Sequence, residues 1–398
     1  MNRKEQKLTV DETVIQRLKS GNPLLHKEDF EATNHALTEG DVIHITDDRG
    51  KFVARAYYGK QNVGIGWVLS LDEREDINPS FFQNKIEEAV RLRKRSYDDE
   101  ETTAFRVFNG EGDGIGGLTI DRYNHHYVVT FFSEGIYTFK DWVIESLLTL
   151  DDVTGIYEKK RFATDGKYTG EDDFVAGTPA EFPMLVKESG MHFAVNLNDG
   201  PMTGIFLDQR EVRKRIRDHY AYDKHVLNLF SYTGAFSVAA ALGGATKTTS
   251  VDLANRSLEK TEEQFLVNGI PTDDQNIVVM DVFRYMSYAK KKSLNFDVVV
   301  VDPPSFARSK KKTFRAAKDY RAMLEEVIAI TSANGVIVAS TNASNVSLKK
   351  FKGFVQDAFQ NSNQAYELLE TRGVPEDFKT SGAYPAGNYL KVLFIQKK

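Results

Sequence analysis

Two patterns of apolar and polar residues divide the chain near residue 190. Before it, short stretches with alternating apolar and polar residues, such as residues 41–46 and 52–58, predict β-strands joined by turns. A helical apolar period after Asn78 and Pro79 predicts one longer helix. Beyond residue 190, continuous apolar runs alternate with helical patterns, beginning with the run at 226–230. Repeated strand–helix units of this kind predict an α/β fold with a doubly wound, Rossmann-like parallel sheet.

The length of the chain favours several domains, because 398 residues exceed the size of an ordinary single core. We expect a small β-rich domain at residues 1–73 and an α+β linking domain at 74–190. The α/β domain is expected at 191–398. Its last two strands, at 366–371 and 388–396, are expected to form a hairpin-like pair.

Composition excludes several kinds of chemistry. The chain has no cysteine, which excludes disulfides, thiolate metal sites and a cysteine nucleophile. The eight histidines are scattered without a metal-ligand spacing, so no metal is expected. No segment approaches the roughly 20 apolar residues of a membrane span, and we expect a cytoplasmic protein without a membrane partner. The net charge of −5 argues against nucleic-acid binding through the overall field, although local basic patches remain able to contact phosphates.

Polar and small residues follow four predicted strands of the third region. Gly234 lies in the turn after the first strand, where a residue without a side chain allows a ligand to approach the backbone. Asp252, Asp281 and Asp302 follow the next three strands. Since parallel strands end at one edge of a sheet, these residues should line a single crevice. An acid after the second strand is suited to accept hydrogen bonds from ribose hydroxyls, so the crevice predicts a nucleoside cofactor.

The fourth strand distinguishes between two cofactors. The first turn lacks the complete glycine pattern of dinucleotide enzymes, because Asn228 and Ser231 occupy its outer positions. Pro303 and Pro304 form a rigid loop without amide donors, so its carbonyl oxygens can accept hydrogen bonds from a base. Together with Asp302, and with Phe306 to stack on a flat ring, this loop favours S-adenosylmethionine over NAD. A nicotinamide oxidoreductase is the less favoured alternative.

A basic stretch directly follows this loop. It either contacts RNA phosphates or is a solvated loop, and its place at the mouth of the crevice favours phosphate contacts. The basic residues are Arg308, Lys310, Lys311, Lys312, Arg315 and Lys318.

Several longer motifs carry a family resemblance. They are GEGDG at 110–114, GLTIDR at 117–122, TGIFLDQR at 203–210, NLFSYTG at 228–234, DPPSF at 302–306, YP at 384–385 and YLK at 389–391. Along its whole length the chain resembles the bacterial large-subunit ribosomal RNA (23S) methyltransferases that join a PUA domain to a class I methyltransferase domain. The resemblance implies an RNA-binding PUA-like domain at 1–73 and a methyltransferase domain at 191–398, with rRNA or a ribosomal subunit precursor as partner. Whether the chain forms a homodimer is left open.

The resemblance also implies individual site residues. S-adenosylmethionine would contact Asp252 through its ribose and Asp281 with Val282 through its adenine. The chemistry of the proline loop, rather than the resemblance, makes Asp302, Pro303, Pro304 and Phe306 the candidate catalytic residues, together with Asn342. The remaining implied cofactor contacts are Gln209, Arg210, Asn228, Phe230, Ser231, Thr233, Gly234, Ala235 and Asp302.

One position departs from the family pattern. The best-known members methylate carbon 5 of cytosine with a cysteine that follows the fifth strand, and Asn342 stands at that position here. Without a thiolate, carbon 5 is not nucleophilic enough, whereas a guanine ring nitrogen is already a nucleophile. We therefore expect methylation of a base nitrogen, with guanine favoured. Two alternatives stay open: 5-methylcytosine formation by an atypical route, and a cofactor-binding ribosome-assembly factor without catalysis.

Overall fold

The computed structural model describes residues 5–30, 37–162, 172–308 and 313–398. The chain forms two compact units. The first consists of Met1–Val186, Val195–Thr203 and Glu376–Gly387, and the second of Lys187–Ala194, Gly204–Pro375 and Asn388–Lys398. The three-domain division with boundaries near residues 73 and 190 stays a prediction.

The N-terminal part of the first unit is a five-stranded sheet with one helix. Its strand order is β1-β3-β4-β5-β2, with β1 parallel to β3 and the other pairs antiparallel. The helix begins where the Asp11 carboxylate accepts a hydrogen bond from the Val14 amide, at 2.9 Å. The elements are β1 (Glu5–Thr9), α1 (Glu12–Lys19), β2 (Leu24–Leu25), β3 (Val42–Thr46), β4 (Phe52–Tyr58) and β5 (Gly66–Ser70).

A second five-stranded sheet, ordered β10-β9-β8-β7-β6, completes the first unit. The predicted long helix begins at Pro79, with the Asn78 side chain accepting from the Phe81 amide at 3.0 Å. The elements are α2 (Pro79–Leu92), α3 (Lys94–Tyr97), β6 (Ala104–Asn109), β7 (Leu118–Tyr123), β8 (His126–Phe131), α4 (Glu134–Tyr137), α5 (Lys140–Leu148), β9 (Gly155–Lys160) and β10 (Phe174–Gly177). β11 (Met184–Glu188) and β12 (Met191–Val195) lie where the chain passes into the second unit.

The second unit is built on a seven-stranded sheet with the order β15-β14-β13-β16-β19-β21-β20. Five strands are parallel, as expected for a doubly wound fold, and β21 runs antiparallel to both of its neighbours. The strands are β13 (His225–Leu229), β14 (Lys247–Asp252), β15 (Gln275–Val279), β16 (Phe296–Val301), β19 (Thr331–Thr341), β20 (Tyr366–Arg372) and β21 (Lys391–Lys397). The expected pairing of the last two strands is confirmed.

Helices cover both faces of this sheet. Leu227 and Val299 belong to the apolar cluster on one face, while their neighbours Val226 and Val298 belong to the cluster on the other. Burial of both faces explains why these strands read as continuous apolar runs rather than as alternating patterns. The helices are α6 (Arg210–Arg215), α7 (Ala235–Leu242), α8 (Ser257–Leu266), α9 (Val282–Lys291), α10 (Ala316–Ala329) and α11 (Leu348–Asn361). A short antiparallel pair is formed by β17 (Phe306–Arg308) and β18 (Thr313–Arg315). Among the helices in the described ranges, none is long and apolar enough to cross a membrane.

A buried ion pair lies inside the first unit. The Arg93 guanidinium donates to both oxygens of Asp113, at 3.1 and 2.6 Å, and the two side chains are almost fully buried. Arg93 also donates to the carbonyl of Asp377, while Asp113 accepts from the Asn109 amide. Such a pair stabilises the fold only while both partners are present, because either charge alone would be buried without compensation.

We therefore expect Asp113→Ala to destabilise the first unit by about 3–5 kcal/mol. Both tryptophans of the chain, Trp67 and Trp142, lie in this unit, so their fluorescence during urea unfolding reports on it selectively. Asp72→Ala is the matched control, because Asp72 and its partner Arg74 are exposed, and it should leave the midpoint unchanged. Equal midpoints for the two variants would contradict the prediction.

Candidate cofactor and active site

A cavity of about 380 Å³ lies in the second unit at the carboxyl ends of β13, β14 and β16. From β13 the chain continues to β14 on one side of the sheet and later to β16 on the other side, so the strand order reverses at β13. In open α/β sheets, the point of such a reversal forms a crevice in which ligands bind. Its lining residues are Ile205, Phe206, Asp208, Gln209, Arg213, Phe230, Ser231, Tyr232, Thr233, Ala235, Phe236, Asp252, Leu253, Asp281, Val282, Phe283, Asp302, Pro303, Pro304, Ala307, Phe314 and Asn342.

The turn after β13 has an unusual backbone. Phe230, Tyr232 and Gly234 all adopt left-handed conformations, with φ of 60°, 52° and 79°. A Cβ atom on Gly234 would lie only 2.4 Å from the Cγ2 atom of Thr261 in α8. Glycine is therefore required for packing against α8 as well as for the backbone conformation. Gly234 does not itself line the cavity, and its expected cofactor contact stays a prediction.

Two of the expected acids have their carboxylates held by backbone amides. Asp252 accepts from the amide of Tyr232 at 3.0 Å through one oxygen and from that of Ala254 at 2.9 Å through the other. Asp281 caps α9 by accepting from the Arg284 amide at 3.1 Å. A carboxylate oxygen has more than one acceptor site, so both side chains can still accept hydrogen bonds from a ligand in the cavity.

The third acid is held by a glutamine. Gln209 Nε2 donates to Asp302 Oδ2 at 3.0 Å and to Ser340 Oγ at 2.9 Å. Burial raises the pKa of the Asp302 carboxyl to about 6. Hydrogen bonds from Ser340 and Gln209 oppose that rise, whereas the negative charge of Asp208 adds to it. Within the described part of the chain, the buried Oε1 atom of Gln209 has no hydrogen-bond partner.

Asn342 stands on the rim of the cavity beside the proline loop. Its Oδ1 atom accepts a hydrogen bond from Ser305 Oγ at 2.7 Å. The remaining Nδ2 group is a donor, which suits recognition of an acceptor atom on a ligand. Phe306 is 56% exposed and lies outside the lining set.

Most of the residues expected at the site are brought together at the cavity. The exceptions are Arg210, Asn228, Gly234 and Phe306. Asn228 is buried beneath the turn and donates to Ser237 Oγ at 3.1 Å. The expected residues that do line the cavity are Gln209, Phe230, Ser231, Thr233, Ala235, Asp252, Asp281, Val282, Asp302, Pro303, Pro304 and Asn342.

Ten of the lining residues are not among the site residues that the sequence predicts, and three of these ten make notable contacts. Phe283 and Phe314 form an aromatic cluster with Phe230, with ring centroids 5.9–6.5 Å apart. Arg213 binds both oxygens of Glu188, at 2.7 and 2.6 Å, in a fully buried pair. Phe283 could have been identified from its place two residues after Asp281, but no local sequence pattern distinguishes Phe314 or Arg213.

Comparisons with known proteins identify the family of the chain. A family model for S-adenosylmethionine-dependent methyltransferases matches residues 118–384, and one for PUA-like domains matches residues 8–71. YwbD of Bacillus subtilis, provisionally named a ribosomal RNA large subunit methyltransferase, is 55% identical over 98% of this chain and 99% of its own length. Ribosomal RNA large subunit methyltransferase I of Alteromonas mediterranea is 31% identical over 90% of each chain.

A solved structure extends the similarity to three dimensions. SMU.776, provisionally described as a methyltransferase and crystallised with S-adenosylhomocysteine, superposes with a TM-score of 0.91. It is 38% identical and covers 98% of this chain and 100% of its own. The expected fold class, with a PUA-like domain ahead of a Rossmann-like domain, is confirmed. The chain belongs to the family of S-adenosylmethionine-dependent methyltransferases, and S-adenosylmethionine is its cofactor.

Proposed function

We propose that this enzyme methylates a base nitrogen of large-subunit ribosomal RNA, with guanine as the favoured base. The observation that carries the proposal is the composition of the cavity wall. Asp302, the two prolines and Asn342 adjoin the expected cofactor residues, and the chain has no cysteine. The similarity to relatives named ribosomal RNA large subunit methyltransferases supports RNA as the substrate.

The cavity suits the methyl donor. Its volume of about 380 Å³ falls within the usual range of small-ligand sites. We assign the ribose hydroxyls to Asp252 and the adenine to Asp281 and Val282, with Phe283 against the ring. The unpartnered Oε1 atom of Gln209 is an acceptor suited to the ammonium group of the donor's methionine portion. The remaining donor contacts are assigned to the turn formed by Phe230, Ser231, Thr233 and Ala235.

The proposed chemistry depends on whether the methyl-accepting atom of the base is already a nucleophile. The bound donor supplies an electrophilic methyl group on a sulfonium sulfur. Carbon 5 of cytosine becomes a nucleophile only after a thiolate adds to the ring, and no thiol is present. A ring nitrogen attacks with its own lone pair and needs only positioning, for which Asp302 and the Pro303 and Pro304 carbonyls supply acceptors. An exocyclic amine would in addition lose a proton, and the Asp302 carboxylate is the acceptor for it.

Contacts with RNA are assigned to the PUA-like domain and to the exposed cations near the proline loop. Arg315 and Lys318 are exposed there, and Phe306 offers a flat apolar ring to a base. Lys310, Lys311 and Lys312 lie outside the described residues, and their phosphate contacts rest on the sequence alone.

The first test concerns the donor. Asp252→Ala should weaken S-adenosylmethionine binding about tenfold or more, because charge-assisted hydrogen bonds contribute roughly 1.5–3 kcal/mol each. Isothermal titration calorimetry measures the affinity. Asp297→Ala is the matched control, because Asp297 accepts a hydrogen bond from the His225 amide at the opposite end of the same sheet. An unchanged affinity in Asp252→Ala would remove that residue from the donor site.

The second test concerns the protonation state of the Asp302 carboxyl. Since its pKa is raised to about 6, the carboxylate is ionised at neutral pH and becomes protonated as the pH falls below 6. Turnover should therefore fall by about tenfold for each pH unit below that value. Asp302→Ala should lower turnover about 100-fold at neutral pH, and Asp302→Asn should lack the acidic limb. An acidic limb that persists in Asp302→Asn would show that another group titrates.

The third test identifies the product. A large-subunit rRNA transcript is incubated with the enzyme and a methyl-labelled donor, and its nucleosides are separated by mass spectrometry. We expect label in an N-methylated guanosine, and no covalent protein–RNA adduct on a denaturing gel. Label in 5-methylcytidine would overturn the assignment in favour of the atypical route. RNA binding without any incorporated label would favour the non-catalytic assembly factor.

A further inference from the structure

The residues of the YLK motif at 389–391 do not line the cavity, yet two of their side chains bind segments that do. The Tyr389 hydroxyl donates to Oδ2 of Asp208, a lining residue, at 2.8 Å. Lys391 is the first residue of β21 and pairs with Thr341, the last residue of β19. Because β21 runs antiparallel to β19, this end of β21 lies at the edge of the sheet that carries the cavity.

Lys391 is a buried cation that is held by backbone oxygens. Its Nζ atom donates to the carbonyl of Ala343 at 2.9 Å and to that of Val346 at 2.7 Å. The residue is 8% exposed, and no carboxylate in the described ranges forms an ion pair with it. Burial lowers the pKa of the Lys391 ammonium group. Because a buried charge is costly unless it is well compensated, a lysine is an expensive choice for a position that needs only packing.

The two carbonyls belong to the loop that joins β19 to α11, and this loop begins with Asn342. Inside the loop, the Val346 amide donates to the Ala343 carbonyl at 3.1 Å, and both residues are buried. Asn342 lines the cavity, and its Oδ1 atom accepts from Ser305 Oγ. The Asn342 amide is therefore held from two sides, by Ser305 at its side chain and by Lys391 at the backbone that follows.

A second lysine of β21 makes the same kind of contact away from the cavity. Lys397 Nζ donates to the carbonyls of Ile328 at 2.9 Å and Thr331 at 2.8 Å. These carbonyls lie where α10 leads into β19, at the opposite edge of the sheet. Burial also lowers the pKa of the Lys397 ammonium group. The two lysines thus secure the two ends of β19, and of the two, Lys391 does so beside a residue that lines the cavity.

We infer that Lys391 is a positioning residue for methyl transfer, which fixes the loop after β19 so that the Asn342 amide meets the substrate base. The inference rests on the proposed function, in which Asn342 belongs to the wall beside the base. The loop cannot shift without breaking the two hydrogen bonds from Lys391. Since a misplacement of about 1 Å can cost about 100-fold in rate, a loosened loop would slow methyl transfer and leave the donor site intact.

The test compares Lys391→Met with its matched control, Lys397→Met. Methionine is unbranched and apolar, so each variant loses one charge and two hydrogen bonds to carbonyls. Turnover is measured as methyl label transferred to a large-subunit rRNA transcript at saturating donor, and donor affinity by isothermal titration calorimetry. Lys391→Met should lower turnover about tenfold or more and keep the donor affinity, whereas Lys397→Met should keep both. Retained donor binding also shows that the domain of Lys391→Met is folded.

A double-mutant cycle tests whether Lys391 acts through Asn342. Asn342→Ala alone should lower turnover, and adding Lys391→Met should cause less than about a twofold further loss, because changes to one positioned group are not additive. A full further loss would show that Lys391 acts elsewhere and would overturn the inference. Normal turnover in Asn342→Ala would overturn it as well, since the loop would then position nothing that the reaction uses.

The lysine variants can also contradict the inference directly. Unchanged turnover in Lys391→Met, equal losses in the two lysine variants, or weakened donor binding in Lys391→Met would each overturn it and leave the proposed RNA substrate intact. A transcript that accepts no label from the unmodified enzyme would instead overturn the proposed function, and the inference with it.

Discussion

The parallel register of the central strands is the constraint on which the site depends. Leu229 is paired with Val251 on one side and with Val301 on the other, and Val301 is paired with Ala339. The four strands therefore reach the same level at one edge of the sheet. The residues that come next, namely Phe230, Asp252, Asp302 and Ser340, are neighbours there although they are distant in sequence. A shift of one strand by one residue would turn its side chains to the other face and disperse this row.

The same register creates an electrostatic problem. It places the Asp302 carboxylate directly after β16, at the cavity, where burial disfavours its charge. The Gln209 amide reduces that cost by donating to Asp302 and to Ser340 from the segment that precedes α6. A pKa near 6 is the result, so the group stays ionised at neutral pH yet binds a proton readily. The site thus combines a raised pKa of the Asp302 carboxyl with a carboxylate that can still accept hydrogen bonds at neutral pH.

Several further contacts stabilise the backbone around this row of residues. The left-handed turn after β13 is held by Asp252, which accepts the Tyr232 amide, and by the close packing of Gly234 on Thr261. Arg213, which is paired with the buried Glu188, also donates to the carbonyl of Phe206 and so stabilises another part of the cavity wall. These are costly arrangements, since a left-handed residue or a buried charge is tolerated only where neighbouring groups compensate for it.

The amino-acid sequence alone predicted the alternation of strands and helices that makes an α/β fold, the acids at the strand ends and the absence of thiol chemistry. These properties follow from local periodicity and from composition, so no long-range contact was needed to deduce them. Only the tertiary structure showed that Gln209 bridges Asp302 and Ser340, that Phe314 packs on Phe230 in the cavity wall, and that α8 occupies the space beside Gly234. Each of these contacts joins residues that are far apart in the sequence. They arise from the packing of elements against one another, which no local pattern of apolar and polar residues encodes.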